Sequence, residues 1–179
     1  MPLPAKAHAV PARTLLLCLS LCLGAPAVHA FDLSPVNELP NAEVSVPGGI
    51  PNIADIRQSG ARNRAAIDQL GAAHLARIIQ TGSDNWARHA QSGAGNMAAS
   101  LQSGDWNEAI IIQAGHNNTA YTDQGGDHNK ISIVQDANGA FANVFQSGDH
   151  NSAFINQYSD GARAIVSQSG NGNVTRVTQ

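Results

Sequence analysis

Glutamine recurs every eleven residues without a slip, at Gln58, Gln69, Gln80, Gln91, Gln102, Gln113, Gln124, Gln135, Gln146, Gln157, Gln168 and Gln179. Two places later comes glycine, at Gly60, Gly71, Gly82, Gly93, Gly104, Gly115, Gly126, Gly148 and Gly170, with Ala137 and Ser159 as exceptions. Five places later comes asparagine, at Asn63, Asn85, Asn96, Asn107, Asn118, Asn129, Asn151 and Asn173, replaced by His74, Ala140 and Ala162. Seven places later stands alanine, from Ala65 to Ala164, except for Ile131, with Thr175 in the last copy. A fixed period of this kind specifies a repeat architecture, in which each unit buries its apolar face against its neighbours.

Within each unit the constrained positions alternate, as in Asn107, Ala109, Ile111 and Gln113, while Glu108, Ile110 and Ile112 between them vary from copy to copy. Period two is the signature of a strand with one face dictated by packing. A helix would need apolar residues three and four apart, and the recurrent glycine would interrupt it. The links, such as Ser103-Gly104-Asp105-Trp106, carry turn residues. Glycine there admits positive φ, and Asp or Asn bonds its own backbone. The spacing predicts an all-β solenoid, a cross-β stack of strand-turn-strand coils with 22 residues each, built from two eleven-residue arms. Coils would stack at about 4.8 Å, with two sheets facing each other across Asn, Ala, Ile or Val, and Gln. Alanine in the middle lets the sheets approach. The Gln and Asn columns are expected to form amide ladders, each side chain bonding its equivalents above and below.

Before the repeat lie two segments of different character. Lys6 and Arg13, the apolar run Leu15 to Leu23 and Val28-His29-Ala30 read as a secretory signal peptide over residues 1–30. Residues 31–51 carry Pro35, Pro40, Pro47 and Pro51 and read as an extended, exposed segment. The repeat domain spans 52–179. Both cysteines, Cys18 and Cys22, fall in the signal peptide, so the mature chain has no disulfide. It keeps eight basic residues against thirteen acidic ones, a formal charge of −5, with no basic patch for nucleic acid.

The pattern holds no enzyme chemistry. There is no mature thiol, no Gly-x-Ser-x-Gly elbow and no phosphate-binding Gly-rich loop, so neither a cofactor nor a small-molecule substrate is expected. Asp105, Asp127 and Asp149 share a turn column beside Trp106, His128 and His150. Turn formation explains the aspartates better than metal binding does. The aromatics Trp86, Trp106, Tyr121 and Tyr158 are too dispersed along the sequence for a binding cage. On the outward face, Leu75, Ile79, Met97, Leu101, Phe141, Phe145 and Ile165 fall on one sheet. The other shows Arg64, Arg88, Glu108, Lys130 and Arg176 with fewer apolar groups. Asp68, Arg77, Asp123 and Arg163 read either as gatekeepers against aggregation or as an ordinary solvated face.

The unit Gln-x-Gly-x-x-Asn-x-Ala-x-x-x-Gln resembles the curlin repeat of curli subunits, the secreted amyloid proteins of bacterial biofilms. It does so across residues 52–179. The resemblance implies export through an outer-membrane secretion pore, with residues 31–51 as the recognition segment, and a surface assembly factor. It also implies fibre formation with copies of itself and with a homologous curli subunit in the extracellular matrix. Of the two subunit types, the minor nucleator is the more similar, through the bulky and cationic strand residues, Val36-Asn37-Glu38-Leu39 and Arg176-Val177-Thr178-Gln179. The major fibre subunit is the alternative, and a monomeric β-solenoid binding module is the reading from another class. The last strand, with Val174, Arg176 and Val177, is the expected polymerising edge.

Overall fold

The computed structural model describes residues 27–32, 42–44 and 50–179. The basic flank and apolar run of the expected signal peptide, and most of residues 33–49, lie outside the described residues. Every regular element described is a β-strand.

One sheet is built from β3 (Asn52–Ala61), β5 (Leu75–Ser83), β7 (Met97–Ser103), β9 (Thr119–Gly125), β11 (Phe141–Ser147) and β13 (Arg163–Ser169). The other holds β4 (Arg64–Ala72), β6 (Trp86–Ala94), β8 (Glu108–His116), β10 (Lys130–Asp136), β12 (Ser152–Gln157) and β14 (Val174–Thr178). These strands are parallel, and each residue pairs with the one 22 places on: Ala87 with Ala109, Gln91 with Gln113. The chain therefore winds through about six coils of 22 residues, alternating between the sheets. At the N-terminal end, β1 (Ala27–Asp32) runs antiparallel on β4, and β2 (Ala42–Val44) antiparallel on β3.

The turns explain the glycine column. From Gly60 to Gly170 its φ angles run between 93° and 120°, a region closed to L side chains. A Cβ on Gly104 would also collide with the carbonyl of Gly126 in the next coil. A second left-handed residue follows two places on, and here side chains are present, as at Asp84 (φ 58°), Trp106 (φ 60°) and His128 (φ 58°). Where Ala137 and Ser159 replace the column glycine, the turn reverses with a single left-handed residue, Gly139 (φ 66°) or Gly161 (φ 68°).

Inside, the alanine column and the Ile/Val column are buried from Ala54 to Val166. The core is not continuous. One apolar cluster runs from Ala54 to Ala109 and the other from Ala98 to Val166. His89, Ser100 and Thr122 occupy the Ile/Val column between them. Outside, the stripe of Leu101, Asp123 and Phe145 lies on three adjacent strands. The second outward face is more apolar than expected: Ile110, Ile112, Val134 and Phe154 cluster on β8, β10 and β12.

Candidate assembly site

The glutamines stand in two columns, one per sheet. Each Nε2 donates to the Oε1 of the glutamine one coil further on, from Gln58→Gln80 (2.5 Å) and Gln69→Gln91 (2.9 Å) to Gln146→Gln168 (2.7 Å) and Gln157→Gln179 (3.1 Å). The second amide proton crosses to the other sheet. Gln102 Nε2 reaches the carbonyl of Trp86 at 3.1 Å, and Gln113 Nε2 that of Met97 at 2.9 Å. One side chain thus fastens coil to coil and sheet to sheet. In this dry interior both donors are satisfied, which is what buried amides require.

The asparagines work differently from a side-chain ladder. Asn107 Oδ1 accepts the backbone N–H of Asn129 at 3.0 Å, and Asn107 Nδ2 donates to the carbonyl of Gly126 at 2.7 Å. Direct amide-to-amide bonds occur at only some rungs, such as Asn151 to Asn129 at 3.1 Å. The column holds the turns, tying each glycine carbonyl to the coil before it. His74 substitutes in kind: its Nδ1 accepts Asn96 N–H at 3.2 Å and its Nε2 lies 3.1 Å from the Leu70 carbonyl. Those two contacts assign the neutral Nε2–H tautomer, and burial pushes its pKa below the ordinary value. Ala140 keeps only the backbone half of the motif, its N–H donating to Asn118 Oδ1 at 2.9 Å.

The ends of the stack differ from its interior. Among the described residues no strand pairs with the outer side of β13 or β14, so their N–H and C=O groups form open edges. Val177 packs against the core cluster, whereas Val174 and Arg176 are exposed. At the other end, Gln69 Oε1 is buried and has no hydrogen-bond partner. Every later glutamine of its column receives an Nε2–H from the coil before. The ladder therefore begins with an empty acceptor.

Two groupings escape a reading of the sequence one repeat at a time. His89 is fully buried, with Nε2 2.7 Å from Ser100 Oγ, which also accepts from Thr122 Oγ1 at 2.8 Å. His89 Nδ1 is unpartnered, and burial pushes its pKa down to about 3. The signal was present in the sequence, as three polar residues in an Ile/Val column. Trp86 and Trp106, dispersed along the sequence, line one surface groove.

The turn aspartates act as turn formers. Asp127 Oδ1 accepts Asp105 N–H at 2.8 Å, and Asp149 Oδ1 accepts Asp127 N–H at 2.9 Å. His128 and His150 stack with centroids 4.9 Å apart and parallel planes, so their in-plane lone pairs do not converge. Among the described residues no group of three metal-ligating side chains assembles. The charged outward residues pair between coils: Arg77 with Asp55 at 2.9 Å, Arg88 with Asp68 at 3.1 Å and Lys130 with Glu108 at 2.9 Å. Arg163 lies over the Phe141 ring at 4.4 Å. Asp123 is flanked by Leu101 and Phe145, and burial raises its pKa.

The curlin-associated repeat matches residues 52–82, 101–124 and 137–179, more than half of the chain. The chain belongs to the curlin-repeat family, whose members are structural rather than enzymatic proteins, extracellular and fimbrial, and assemble into fibres of curli subunits. The unmatched stretches contain the departures His89, Ser100 and Ile131, yet strand register runs through both. No curated relative matches the chain.

Proposed function

We propose that this chain is the minor, nucleating subunit of a curli-type fibre, offering a folded template on which further curlin repeats grow. The carrying observation is the complementarity of its two ends. Open β13 and β14 edges stand at one end, and the unfilled acceptor Gln69 Oε1 stands at the head of a glutamine column at the other. A second copy stacked head to tail would bring Gln179 Nε2 to Gln69 Oε1 and continue both sheets. Bulky and cationic outward residues, among them Ile110, Ile112, Phe154 and Arg176, support the nucleator over the major subunit.

Export fits the same reading. Residues 1–30 serve as signal peptide, residues 31–51 as the segment a secretion pore recognises, and a surface factor holds the chain at the cell exterior. Cleavage after Ala30 would remove Ala27–Ala30 from β1 and free most of the β4 edge it covers. The unbroken glutamine ladder equally serves a homopolymer, which keeps the major subunit as the second reading.

A thioflavin-T time course separates the two. Residues 31–179 are assayed alone and as seed for a fibre-forming curlin-repeat subunit from the same cell. Loss of the partner's lag phase at substoichiometric seed supports the nucleator. Self-assembly without seeding transfers the assignment to the major subunit. A stable β-rich monomer that does neither overturns both readings.

A further inference from the structure

The sheet of β3, β5, β7, β9, β11 and β13 turns three columns of side chains outward. From β5 to β11 one outer column runs Leu75, Met97, Thr119 and Phe141, and the other runs Ile79, Leu101, Asp123 and Phe145. Ala99 and Tyr121 stand between them on β7 and β9. Leu101 is 41% exposed and Phe145 45%, with Leu75 and Tyr121 open beside them. These side chains already pack on one another. Tyr121 Oη donates to Met97 Sδ at 2.9 Å, and its ring tilts against Phe141 with centroids 6.3 Å apart. Charge is concentrated at the two ends of the face, Asp55 with Arg57 and Arg77 on the first strands and Arg163 on the last. An apolar centre between polar ends is the anatomy of a contact surface. The opposite face lacks it, because the Arg88–Asp68 and Lys130–Glu108 pairs cross its first four strands.

The pattern is self-complementary in one way only. Two identical faces meet about a two-fold axis that lies either along the stack or along the strands. With the axis along the stack, each coil meets its own equivalent and the outer columns exchange places. Leu75 then faces Ile79, Met97 faces Leu101 and Phe141 faces Phe145, while Asp123 meets the Thr119 hydroxyl as an acceptor. With the axis along the strands, the first coil meets the last and each column meets itself. Leu101 then faces Asp123, Ile53 faces Arg163 and Asp55 faces Ile165, which buries charge against apolar side chains at an electrostatic cost. Register is equally constrained, since sliding by one coil sets Phe145 opposite Thr119 or Arg163.

We propose that fibres of this chain pair laterally and in parallel through this face, two copies meeting about a two-fold axis along the stack. The proposal rests on the chain forming a fibre. Six strands at about 4.8 Å and five residues at about 3.3 Å give a flat footprint of roughly 480 Å² per copy. The two copies together bury roughly 950 Å², just short of the 1,000 Å² or so that a lasting contact needs. Single chains therefore stay apart, and stacked chains pair because the contact repeats with every subunit. The face lies to the side of the strand edges, so pairing leaves both ends of each stack free to extend.

Residues 31–179 contain no cysteine, so introduced thiols report on this contact alone. Fibres are grown from equal parts of Met97→Cys and Leu101→Cys chains, oxidised with copper phenanthroline and resolved without reductant. Disulfide-linked heterodimers are expected, with few homodimers. A mixture of Leu75→Cys and Phe141→Cys chains, which face each other only in the antiparallel arrangement, should stay uncrosslinked. Within one stack the residues of either pair that belong to different copies lie at least three coils apart, too far for a disulfide. Mass per length of the unmodified fibre should correspond to two stacks. Leu101→Lys should halve it with thioflavin-T binding retained, whereas Phe154→Lys on the opposite sheet should leave it unchanged. Fibres of single-stack mass, or crosslinks from the Leu75→Cys and Phe141→Cys mixture instead, would overturn the pairing and leave the fibre reading standing. Pairing lost in Phe154→Lys and kept in Leu101→Lys would overturn it in favour of the opposite face. Absence of any fibre would remove both readings together.

Discussion

His89 stands in a column of Ile and Val, flanked in its sheet by Ile67 and Ile111 and facing Ser100 across the core. No charged side chain reaches it from those neighbours, so a second ring proton would be nearly unsolvated. Its pKa falls from about 6.5 in the unfolded chain to about 3 in the fold. The unfolded state therefore binds the extra proton first as pH drops. The stability of the neutral, buried form is fully present above about pH 6.5 and is lost progressively toward pH 3, on the order of 4 kcal/mol in all. His89→Ile should remove that part of the pH dependence, measured as urea midpoints of the soluble chain at pH 7 and pH 4. An unchanged slope would show that His89 is hydrated in solution. At Gly104 the strain is geometric. Gly104→Ala must place a methyl against the Gly126 carbonyl at a φ of 109°, so a destabilisation above about 2 kcal/mol is expected in the same measurement.

At the level of the strand, each glutamine does two tasks, and its place in the column decides which is felt. Gln113 sits mid-column, accepting from Gln91 at 2.9 Å and donating to Gln135 at 2.8 Å and to Met97 O at 2.9 Å. Gln113→Ala strands those partners in the dry core and should cost about 2–4 kcal/mol. Gln179 is exposed and touches only Gln157 and the Arg163 carbonyl through its amide. Gln179→Ala should leave the soluble chain nearly as stable and lengthen the lag of fibre growth, because its free amide proton is the one a following copy would use. Equal effects of both variants on stability and on lag would remove the head-to-tail rung. The outward face has its own control in Asp123, whose carboxylate is desolvated between Leu101 and Phe145. Its raised pKa means that the ionised form opposes this packing. Asp123→Asn should shorten the lag at neutral pH, with little difference from the parent chain below the ordinary carboxylate pKa.

For the whole molecule, stacking fixes a length. Six parallel strands per sheet at about 4.8 Å give an axial rise of roughly 29 Å per subunit if copies join β14 to β4 directly. Retention of β1 and β2 between copies adds one strand to each sheet and raises the repeat to roughly 34 Å. Labelling at exposed Tyr158 and measuring label spacing along fibres of this chain alone distinguishes the two, and irregular spacing would rule out end-to-end stacking. Under the proposed end-to-end stacking, the bond that adds a coil within the chain would also be the bond that adds the next chain. Family membership gives the class of fibre, and the proposed end-to-end contact would set the direction in which it grows.

The period of eleven was enough to dictate the sheets, the 22-residue coil and the inward columns, because parallel in-register stacking puts like residues on like and each position repeats its role. The glycine column was legible for the same reason: a φ near 100° excludes every side chain, so the residue type reveals the backbone. The asparagine bonds were not legible, since an amide facing a column can bond either its equivalent or the backbone, and only the position of the turn carbonyl decides for the latter. His89 and Ser100 lie eleven residues apart in sequence and Thr122 a further 22, and the winding of the coils turns those spacings into a polar break in the core. Trp86 and Trp106 belong to different repeat positions, one strand and one turn, so periodicity keeps them apart. Stacking brings them to a single groove, because neighbouring coils are only about 4.8 Å apart however long the chain between them.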